Sequence, residues 1–272
     1  MKIYAVRDEE EKEPRKDLAY LIYYEKEKCF YVELPEDADK WETPLLLSSF
    51  AERGIRTVGA YYSMLWVRQR IIPTDRQNLG QILKENGLEE YDEHTFLVLA
   101  EGRCAQDSYY LKEIPERELP ESFADRYRKR IEDVLPRENG QLLVFFRDDS
   151  VRRCDIGALT GGDRRFRAIL DRKELFHSVK VSVGGYEVSW GENLTISDFA
   201  LYDSGKKDCF QADDFVQFAE QCLVNTSGAA EILNCSRQYI NELVCEGRLH
   251  VVRQDSRNRL FMRSEVMKCR WR

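Results

Sequence analysis

The sequence predicts a mixed α+β protein made of three small segments joined by two helices. Short alternating apolar stretches typical of strands are interspersed with apolar residues at helical spacing, and prolines and glycines separate the two patterns. With 272 residues, 43% of them hydrophobic, the chain is long enough for two or three cores. We place the segments at 1–116, 138–206 and 226–272, with connecting helices at 117–137 and 207–225.

Composition excludes several classes of protein. No apolar run reaches the roughly 20 residues that a membrane-spanning helix needs, and the start of the chain lacks the apolar core of a secretion signal. The eight cysteines are scattered, without the closely spaced pairs typical of zinc ligands. We therefore expect a cytoplasmic protein with reduced thiols, no bound metal and no membrane association.

The first segment is predicted to be a small α+β domain. Ala19–Tyr24 and Cys29–Leu34 are rich in aromatic and β-branched residues on either side of a charged turn, which predicts a β-hairpin. Phe96–Leu99 is predicted as a further strand. Between them the pattern predicts three helices, at Pro44–Ala51, Tyr61–Ile72 and Asp75–Lys84.

The function of this first segment is open to two interpretations. Residues 66–72 mix basic and aromatic side chains, as in some nucleic-acid-binding surfaces, but Arg68 and Arg70 fit the solvated side of an amphipathic helix better. Acidic runs at 8–13 and 89–93 favour a surface that binds another protein. We therefore expect any protein partner to bind this acidic N-terminal domain.

The two connectors are predicted to be amphipathic helices. Glu121–Leu135 follows a proline and has an apolar residue at every fourth position among charged ones. Asp213–Leu223 has a similar apolar face, formed by Phe215, Phe218, Ala219 and Cys222.

The segment between the connectors is rich in predicted strands. Leu142–Phe146 and Val151–Ile156 flank an Arg-Asp-Asp turn, and Lys180–Val183 and Tyr186–Trp190 flank a Gly-Gly turn. These patterns predict two β-hairpins.

An ordered set of positions in this middle segment resembles the domain of unknown function numbered twenty-four forty-two. The matching residues are Phe146, Asp148, Leu170, Phe176, Gly185, Trp190, Leu194, Leu201 and Tyr202. Asp149 stands where that family often has glycine. The resemblance implies a small α+β domain, often joined to a helix-turn-helix, with no assigned chemistry.

Residues 226–272 combine two short predicted helices with an arginine-rich hairpin. Thr226 is predicted to cap a helix that ends at Leu233, and Ser236 to cap a second helix, Arg237–Glu246. His250–Arg253 and Arg259–Arg263 are then predicted as the two strands of the hairpin. A final short helix begins at Ser264.

Charge is distributed unevenly between this end and the rest of the chain. Residues 226–272 contain nine Lys and Arg against five Asp and Glu, a net charge of +4, whereas the whole chain has a net charge of −7. The remaining residues therefore carry −11. A basic end on an acidic body predicts that contact with a polyanion is confined to the C-terminal segment.

This C-terminal run resembles the helix-turn-helix family of excisionases and MerR-type proteins. The matching positions are Ala229, Ala230, Leu233, Ser236, Ile240, Leu243, Glu246, Gly247, Arg248 and Leu249, followed by the arginine-rich hairpin. The resemblance implies a winged helix-turn-helix, with its second helix in the major groove of double-stranded DNA and its wing on the backbone or minor groove. The turn at 254–258 lacks the glycines of that family.

Arginine, glutamine and asparagine suit contacts with bases and phosphates, so we predict a set of DNA-binding residues. They are Ser236, Arg237, Gln238, Tyr239, Asn241, Arg253, Arg257, Arg259 and Arg263. Because one short helix-turn-helix buries little surface, we also expect a homodimer on paired half-sites.

The sequence predicts no catalytic site and no cofactor. Asp148 and Asp149 are neighbours, and neighbours on a strand point to opposite faces, so they fit a hairpin turn better than shared acid–base work. The three histidines are isolated, and the paired glycines lack the strand–loop–helix setting of a phosphate loop.

We therefore expect a sequence-specific transcriptional regulator of bacterial type rather than an enzyme. A narrower form of this expectation is an antitoxin-like autorepressor. Two alternatives remain open: an excisionase-like architectural factor that bends DNA, and a protein-interaction scaffold with a vestigial helix-turn-helix.

Overall fold

The computed structural model describes residues 1–10, 16–191, 194–207, 210–255 and 258–271. Over these residues the fold is mixed α+β with several small antiparallel sheets, which confirms the predicted class. The chain forms two compact units, Met1–Ala124 and Asp125–Arg272. The predicted segments 138–206 and 226–272 both lie in the second unit. None of the described helices has the length and hydrophobicity needed to cross a lipid bilayer.

The first unit is built on a five-stranded antiparallel sheet in the order β4-β3-β2-β1-β5. Its apolar face packs against the helices around Leu47, Trp66 and Phe96. The elements are β1 (Lys2–Asp8), β2 (Ala19–Tyr24), β3 (Cys29–Glu33), α1 (Leu45–Glu52), β4 (Thr57–Val58), α2 (Ala60–Arg68), α3 (Leu79–Glu85), α4 (Glu93–Leu99) and β5 (Tyr109–Glu113). Helix α5 (Glu121–Arg128) follows. The predicted hairpin is confirmed as β2 and β3. The acidic run at 8–13 continues beyond residue 10, outside the described residues.

Two predictions for this unit are wrong. Phe96–Leu99 belongs to helix α4 rather than to a strand, because the Asp92 side chain accepts a hydrogen bond from the Thr95 backbone and caps the helix. Arg70 is buried rather than solvated. Its guanidinium pairs with Asp107 at 2.5 Å and lies 4.2 Å from the centre of the Trp66 ring. Arg70 therefore links helix α2 to the segment that precedes β5.

The second unit contains three further antiparallel sheets among its described residues. A four-stranded sheet has the order β12-β8-β7-β6, and two three-stranded sheets have the orders β11-β10-β9 and β13-β15-β14. The elements are β6 (Ile131–Pro136), β7 (Gln141–Phe146), β8 (Val151–Asp155), α6 (Ile156–Leu159), α7 (Arg164–Leu170), α8 (Lys173–His177), β9 (Lys180–Val181), β10 (Glu187–Ser189), β11 (Thr195–Ser197), α9 (Asp198–Ser204), β12 (Lys206–Lys207), α10 (Ala212–Gln221), β13 (Leu223–Asn225), α11 (Thr226–Leu233), α12 (Arg237–Cys245), β14 (Arg253–Gln254), β15 (Arg259–Met262) and α13 (Arg263–Trp271).

The predicted connecting helix at 117–137 is correct only in part. Helix α5 ends at Arg128, and the second half of the predicted helix is strand β6. Strand β6 pairs with β7 in antiparallel register, from Ile131 opposite Phe146 to Pro136 opposite Leu142. The ladder and the burial of Leu135 override the helical spacing of the apolar residues. The second connector does contain the predicted helix, as α10.

Both hairpins predicted in the middle segment are present. Strands β7 and β8 pair across the Asp-Asp turn, and β9 pairs with β10 across the Gly-Gly turn. Asp149, which stands where the resembling family often has glycine, has a φ of 62°. The turn therefore requires the left-handed conformation that glycine adopts freely and aspartate tolerates.

An ion pair between a buried carboxylate and a partly exposed guanidinium joins the last helix to the four-stranded sheet. Arg263, the first residue of α13, donates to the carboxylate of Asp133 on β6, whose side chain is only 4% exposed. Burial raises the pKa of the Asp133 carboxyl, and the Arg263 guanidinium opposes this rise. On the next turn of α13, Lys268 pairs with Glu132. The C-terminal helices and the middle sheet are thus held in one unit.

Replacing Asp133 with alanine should lower the free energy of unfolding of the second unit by about 1–3 kcal/mol, because it leaves the Arg263 guanidinium, whose side chain is 33% exposed, without its partner. Urea denaturation of the parent and the variant measures this loss. The Asp133→Leu/Arg263→Met double variant should recover much of it. Asp203→Ala, at an exposed carboxylate of the same unit, should change the value by less than about 0.5 kcal/mol. Equal losses for Asp133→Ala and Asp203→Ala would contradict the prediction.

Candidate nucleic-acid interface

Helices α11 and α12 are positioned by a cap at the start of each helix and by the short turn between them. Asn225 caps α11 by accepting from the Gly228 backbone at 2.9 Å, so the predicted cap, Thr226, is instead the first helical residue. Asn234 ends α11 in the left-handed conformation, with φ 49°. Ser236 then caps α12, as predicted, by accepting from the Tyr239 backbone at 3.2 Å. The turn and both caps fix the direction in which α12 leaves α11.

One face of α12 packs into a small apolar core. Ile240 and Leu243 are buried on this face, and they pack with Ala229 of α11 and Phe261 of β15. The small side chain of Ala229 lets the two helices approach closely. The opposite face of α12 is therefore forced outward.

The outward face of α12 carries Arg237, Gln238 and Asn241, all exposed. These three side chains offer hydrogen-bond donors that match guanine or adenine edges. An α-helix with its side chains is about 10–12 Å across, which fits a DNA major groove about 12 Å wide. Glu242 is exposed beside them, and a carboxylate there can accept from cytosine.

The hairpin of β14 and β15 lies beside α12 and is tied to it by a hydrogen bond. Arg259 donates from Nη1 to Asn241 Oδ1 at 3.0 Å. Gln254 stands directly opposite Arg259 in the hairpin, so their side chains share one face. Arg253 is exposed on the neighbouring position of β14. Arg259 and Gln254 thus extend the polar outward face of α12, whereas Arg253 points to the other face of the hairpin.

Ser236 and Tyr239 lie at the exposed N-terminal end of α12. The Ser236 hydroxyl oxygen is engaged by the helix cap, but its proton stays available for donation to a phosphate. Tyr239 is 38% exposed and neighbours Arg248. Arg257, also predicted to bind DNA, lies outside the described residues.

Arg263 is the one described residue of the predicted set that the fold places elsewhere. It begins α13, and its guanidinium pairs with Asp133 and lies 3.7 Å from the Cys222 sulfur. Burial raises the pKa of the Cys222 thiol to about 12, so the neutral thiol adds no charge to this cluster. Arg263 is a structural residue of the unit, and we remove it from the predicted interface.

Sequence reasoning missed Arg248 as a residue of this surface. It follows α12, is exposed, and pairs with Glu246 at 3.2 Å beside Tyr239. Glu246-Gly247-Arg248 matches the family pattern, but that match alone does not mark Arg248 as a contact residue. Its position after the glycine that ends α12 is the signal that could have identified it.

Outside this surface, the second unit contains an open cavity of about 450 Å³. Its lining mixes both signs of charge with apolar groups, including Asp155, Lys173, Phe176 and His177. Within the described residues, no group of three or more His, Cys, Asp or Glu is arranged to hold a metal ion. The surface around α12, with its exposed arginine and amide side chains, indicates one kind of ligand more clearly than this cavity does.

No protein-family model, curated protein or solved structure matches this chain.

The hydrogen bond between Asn241 and Arg259 should couple the hairpin to α12 energetically. We expect Asn241→Ala and Arg259→Ala to be non-additive in the free energy of unfolding, with a coupling of about 0.5–1.5 kcal/mol. A double-mutant cycle in urea measures this coupling. A cycle between Asn241→Ala and Arg253→Ala serves as the control, since Asn241 bonds to Arg259. Coupling energies that are equal in the two cycles would argue against the bond.

Proposed function

We propose that residues 226–272 form a winged helix-turn-helix that binds double-stranded DNA, and that the protein is a sequence-specific transcriptional regulator of bacterial type. In this proposal α12 is the recognition helix and the β14–β15 hairpin is the wing. The observation that carries it is the outward face of α12, where Arg237, Gln238 and Asn241 are exposed beside Arg259 of the wing.

Each exposed group has a distinct role in this proposal. Arg237, Gln238 and Asn241 enter the major groove and read base edges. Arg253, Arg259, Arg248 and the Ser236 hydroxyl contact phosphates, which position the helix but carry no sequence information.

The division of charge between the two units supports the proposal. Met1–Ala124 contains 17 Lys and Arg against 26 Asp and Glu, a net charge of −9. Asp125–Arg272 contains 25 against 23, a net charge of +2. A polyanion therefore associates more favourably with the second unit, which contains the proposed reading helix.

The first unit is proposed to bind a protein partner rather than DNA. Besides its negative charge it exposes large apolar side chains, including Trp41 at 83%, Leu45 at 90% and Tyr61 at 71%. Aromatic side chains are enriched in protein–protein interfaces. In the antitoxin-like form of the proposal, this unit holds a toxin while the second unit represses the shared promoter.

Two other functions would use the same polar surface differently. An excisionase-like architectural factor would bind several adjacent sites and bend the DNA, which shifts the mobility of circularly permuted fragments on gels. A protein-interaction scaffold with a vestigial helix-turn-helix would fail to bind any duplex at low salt.

The sharpest test of the proposal replaces an arginine with lysine, which preserves the charge but not the two-pronged geometry. After selection of a target from genomic DNA by the purified full chain, Arg237→Lys should reduce the preference for the target over random DNA. The expected loss is about 1–3 kcal/mol, roughly 5- to 150-fold. Arg259→Ala should instead weaken binding to all sequences and lower the salt slope by about 1.

Arg164→Lys is the matched control, since Arg164 is exposed in the same unit on helix α7. It should leave both preference and salt slope unchanged. The proposal fails if the parent selects no target, or if Arg237→Lys discriminates between sequences as well as the control does.

We also propose that the protein binds DNA as a homodimer. A single module contacts too few base pairs for high specificity, so two copies on paired half-sites are expected. Sedimentation of the full chain with the selected duplex should give two chains per duplex, and the target should contain two related half-sites. One chain per duplex at saturation would contradict this prediction.

A further inference from the structure

The cavity of about 450 Å³ in the second unit is formed by parts of the chain that are distant in sequence. The turn between β6 and β7 contributes Arg137 and Gly140. The end of β8, the end of helix α7 and the start of helix α8 contribute Asp155, Asp171 and Lys173. The volume lies within the range of about 300–1,000 Å³ that is typical of small-molecule sites. The cavity is therefore large enough for a small metabolite.

The apolar part of the lining is fixed by packing. Phe176 is 3% exposed, its ring stacks on Trp190 at 6.0 Å, and its backbone oxygen accepts from Trp190 Nε1 at 2.9 Å. Gly140 has a φ of 70°, and a Cβ there would lie 2.7 Å from Leu170 Cδ2. Glycine therefore lets the turn approach Leu170, which also lines the cavity. The cavity is built into the fold and does not depend on one mobile side chain.

Charges of both signs line the cavity. Lys173 and Glu138 pair with each other at 3.6 Å, and both side chains are mostly exposed. Arg137 is only 19% exposed, whereas Asp155 and Asp171 are exposed. An apolar ligand would desolvate these charges without compensation, which is costly. A ligand that itself carries both signs of charge matches this lining best.

The individual groups indicate which charges such a ligand carries. The planar guanidinium of Arg137 has five N–H donors, so it can hold a ligand carboxylate in addition to the partner that it has in the protein. Asp155 accepts from the Ala158 backbone through Oδ1 at 2.9 Å, and a carboxylate can accept at both oxygens. Together with Asp171 it suits an ammonium group. A free amino acid carries a carboxylate and an ammonium group, and its side chain can pack on Phe176.

Arg137 also connects the cavity to the start of helix α10. Its Nη2 pairs with Asp214 Oδ1 at 2.9 Å, and the Asp214 side chain is only 1% exposed. Asp214 Oδ2 accepts from the Gln211 backbone at 3.0 Å and so caps the helix. Because a buried carboxylate needs its counter-charge, the start of α10 depends on the position of the Arg137 guanidinium.

Helix α10 leads directly into the C-terminal module. Strand β13 follows α10 and pairs with β15, one of the two strands of the proposed wing. At the end of α10, the Cys222 backbone oxygen accepts from the Arg263 backbone at 2.8 Å. A displacement of α10 therefore acts on both the wing and the start of α13.

We propose that the cavity binds a free amino acid, and that the bound amino acid weakens DNA binding by the C-terminal module. The ligand carboxylate shares the Arg137 guanidinium with Asp214, which loosens the start of α10 and, through β13, the wing. The regulatory part of this inference rests on the proposed DNA binding, whereas the binding of the amino acid is measured without DNA.

The first experiment measures thermal unfolding of the full chain with each of the common L-amino acids in turn, at millimolar concentration. One amino acid, or a few with similar side chains, should raise the unfolding temperature, by about 5 °C at about 100 times its Kd. The N-acetyl amide of the same amino acid lacks both charges and should have no effect. The inference fails if no amino acid raises the unfolding temperature.

A pair of matched variants locates the site. Asp171→Asn should raise the Kd of that amino acid about tenfold, because it removes a charge from the hydrogen bond to the ammonium group. Asp203→Asn changes an exposed carboxylate of helix α9, outside the cavity lining, and should leave the Kd unchanged. Since Asp171 is exposed, its replacement should leave the unfolding temperature of the ligand-free protein close to that of the parent. Equal Kd values for the parent and both variants would place the amino acid elsewhere and overturn the inference.

The regulatory part is tested on the selected DNA target. A saturating concentration of the amino acid should weaken binding of the parent to the duplex about fivefold or more, and by reciprocity the duplex should raise the Kd of the amino acid by the same factor. Asp171→Asn should need about ten times more amino acid for the same effect. An unchanged affinity for the duplex would overturn the regulatory role. If the parent binds no duplex at all, the proposed function itself fails, while the unfolding measurements still decide whether the cavity is an amino-acid site.

Discussion

Asp133 and Arg263 form the interaction on which the arrangement of the second unit depends. A carboxylate that is 4% exposed is tolerated only if its charge is compensated, and the compensating guanidinium begins the last helix of the chain. Because a buried charge without its partner is costly, α13 is held against β6 in one orientation. The sheet β13-β15-β14 and helices α11 and α12 share one core with α13. Their placement relative to β6 is therefore fixed together with that of α13. The pair thus makes one unit of two segments that are separate in sequence.

The polar surface around α12 follows from packing on its other face. Ile240 and Leu243 must be buried, so the helical period turns Arg237, Gln238 and Asn241 outward. The hydrogen bond from Arg259 to Asn241 also orients the Arg259 side chain, which packing alone does not do. An arginine held in place before binding loses less conformational entropy when it contacts a phosphate or base. Asn241 therefore holds the wing through its Oδ1, while its side-chain NH2 group remains a hydrogen-bond donor.

Local signals made most of the C-terminal segment predictable. The cap at Ser236, the apolar spacing of α12 and the arginine-rich hairpin are each encoded within a few residues. Arg263 was misplaced because its partner, Asp133, is 130 residues away in the chain, and no local pattern reveals such a pairing. Strand β6 was mistaken for helix although a signal was present. Asn139 and Gly140 both adopt positive φ at the turn before β7, and an Asn-Gly pair is a strong indication of a tight hairpin.

The contrast between the acidic chain and its basic C-terminal segment bears on how the proposed regulator would discriminate between DNA sequences. A chain with a net charge of −7 is repelled by DNA as a whole, but repulsion between exposed charges is screened over about 8 Å at physiological ionic strength. In the proposed complex, the contacts of Arg237 and the wing with DNA act over a few ångströms, and any acidic residue more than a screening length away affects them little. Encounters without these contacts would keep only the unfavourable net charge of the chain. In the proposed function, the net negative charge of the chain would therefore penalise non-specific association with DNA more than specific binding.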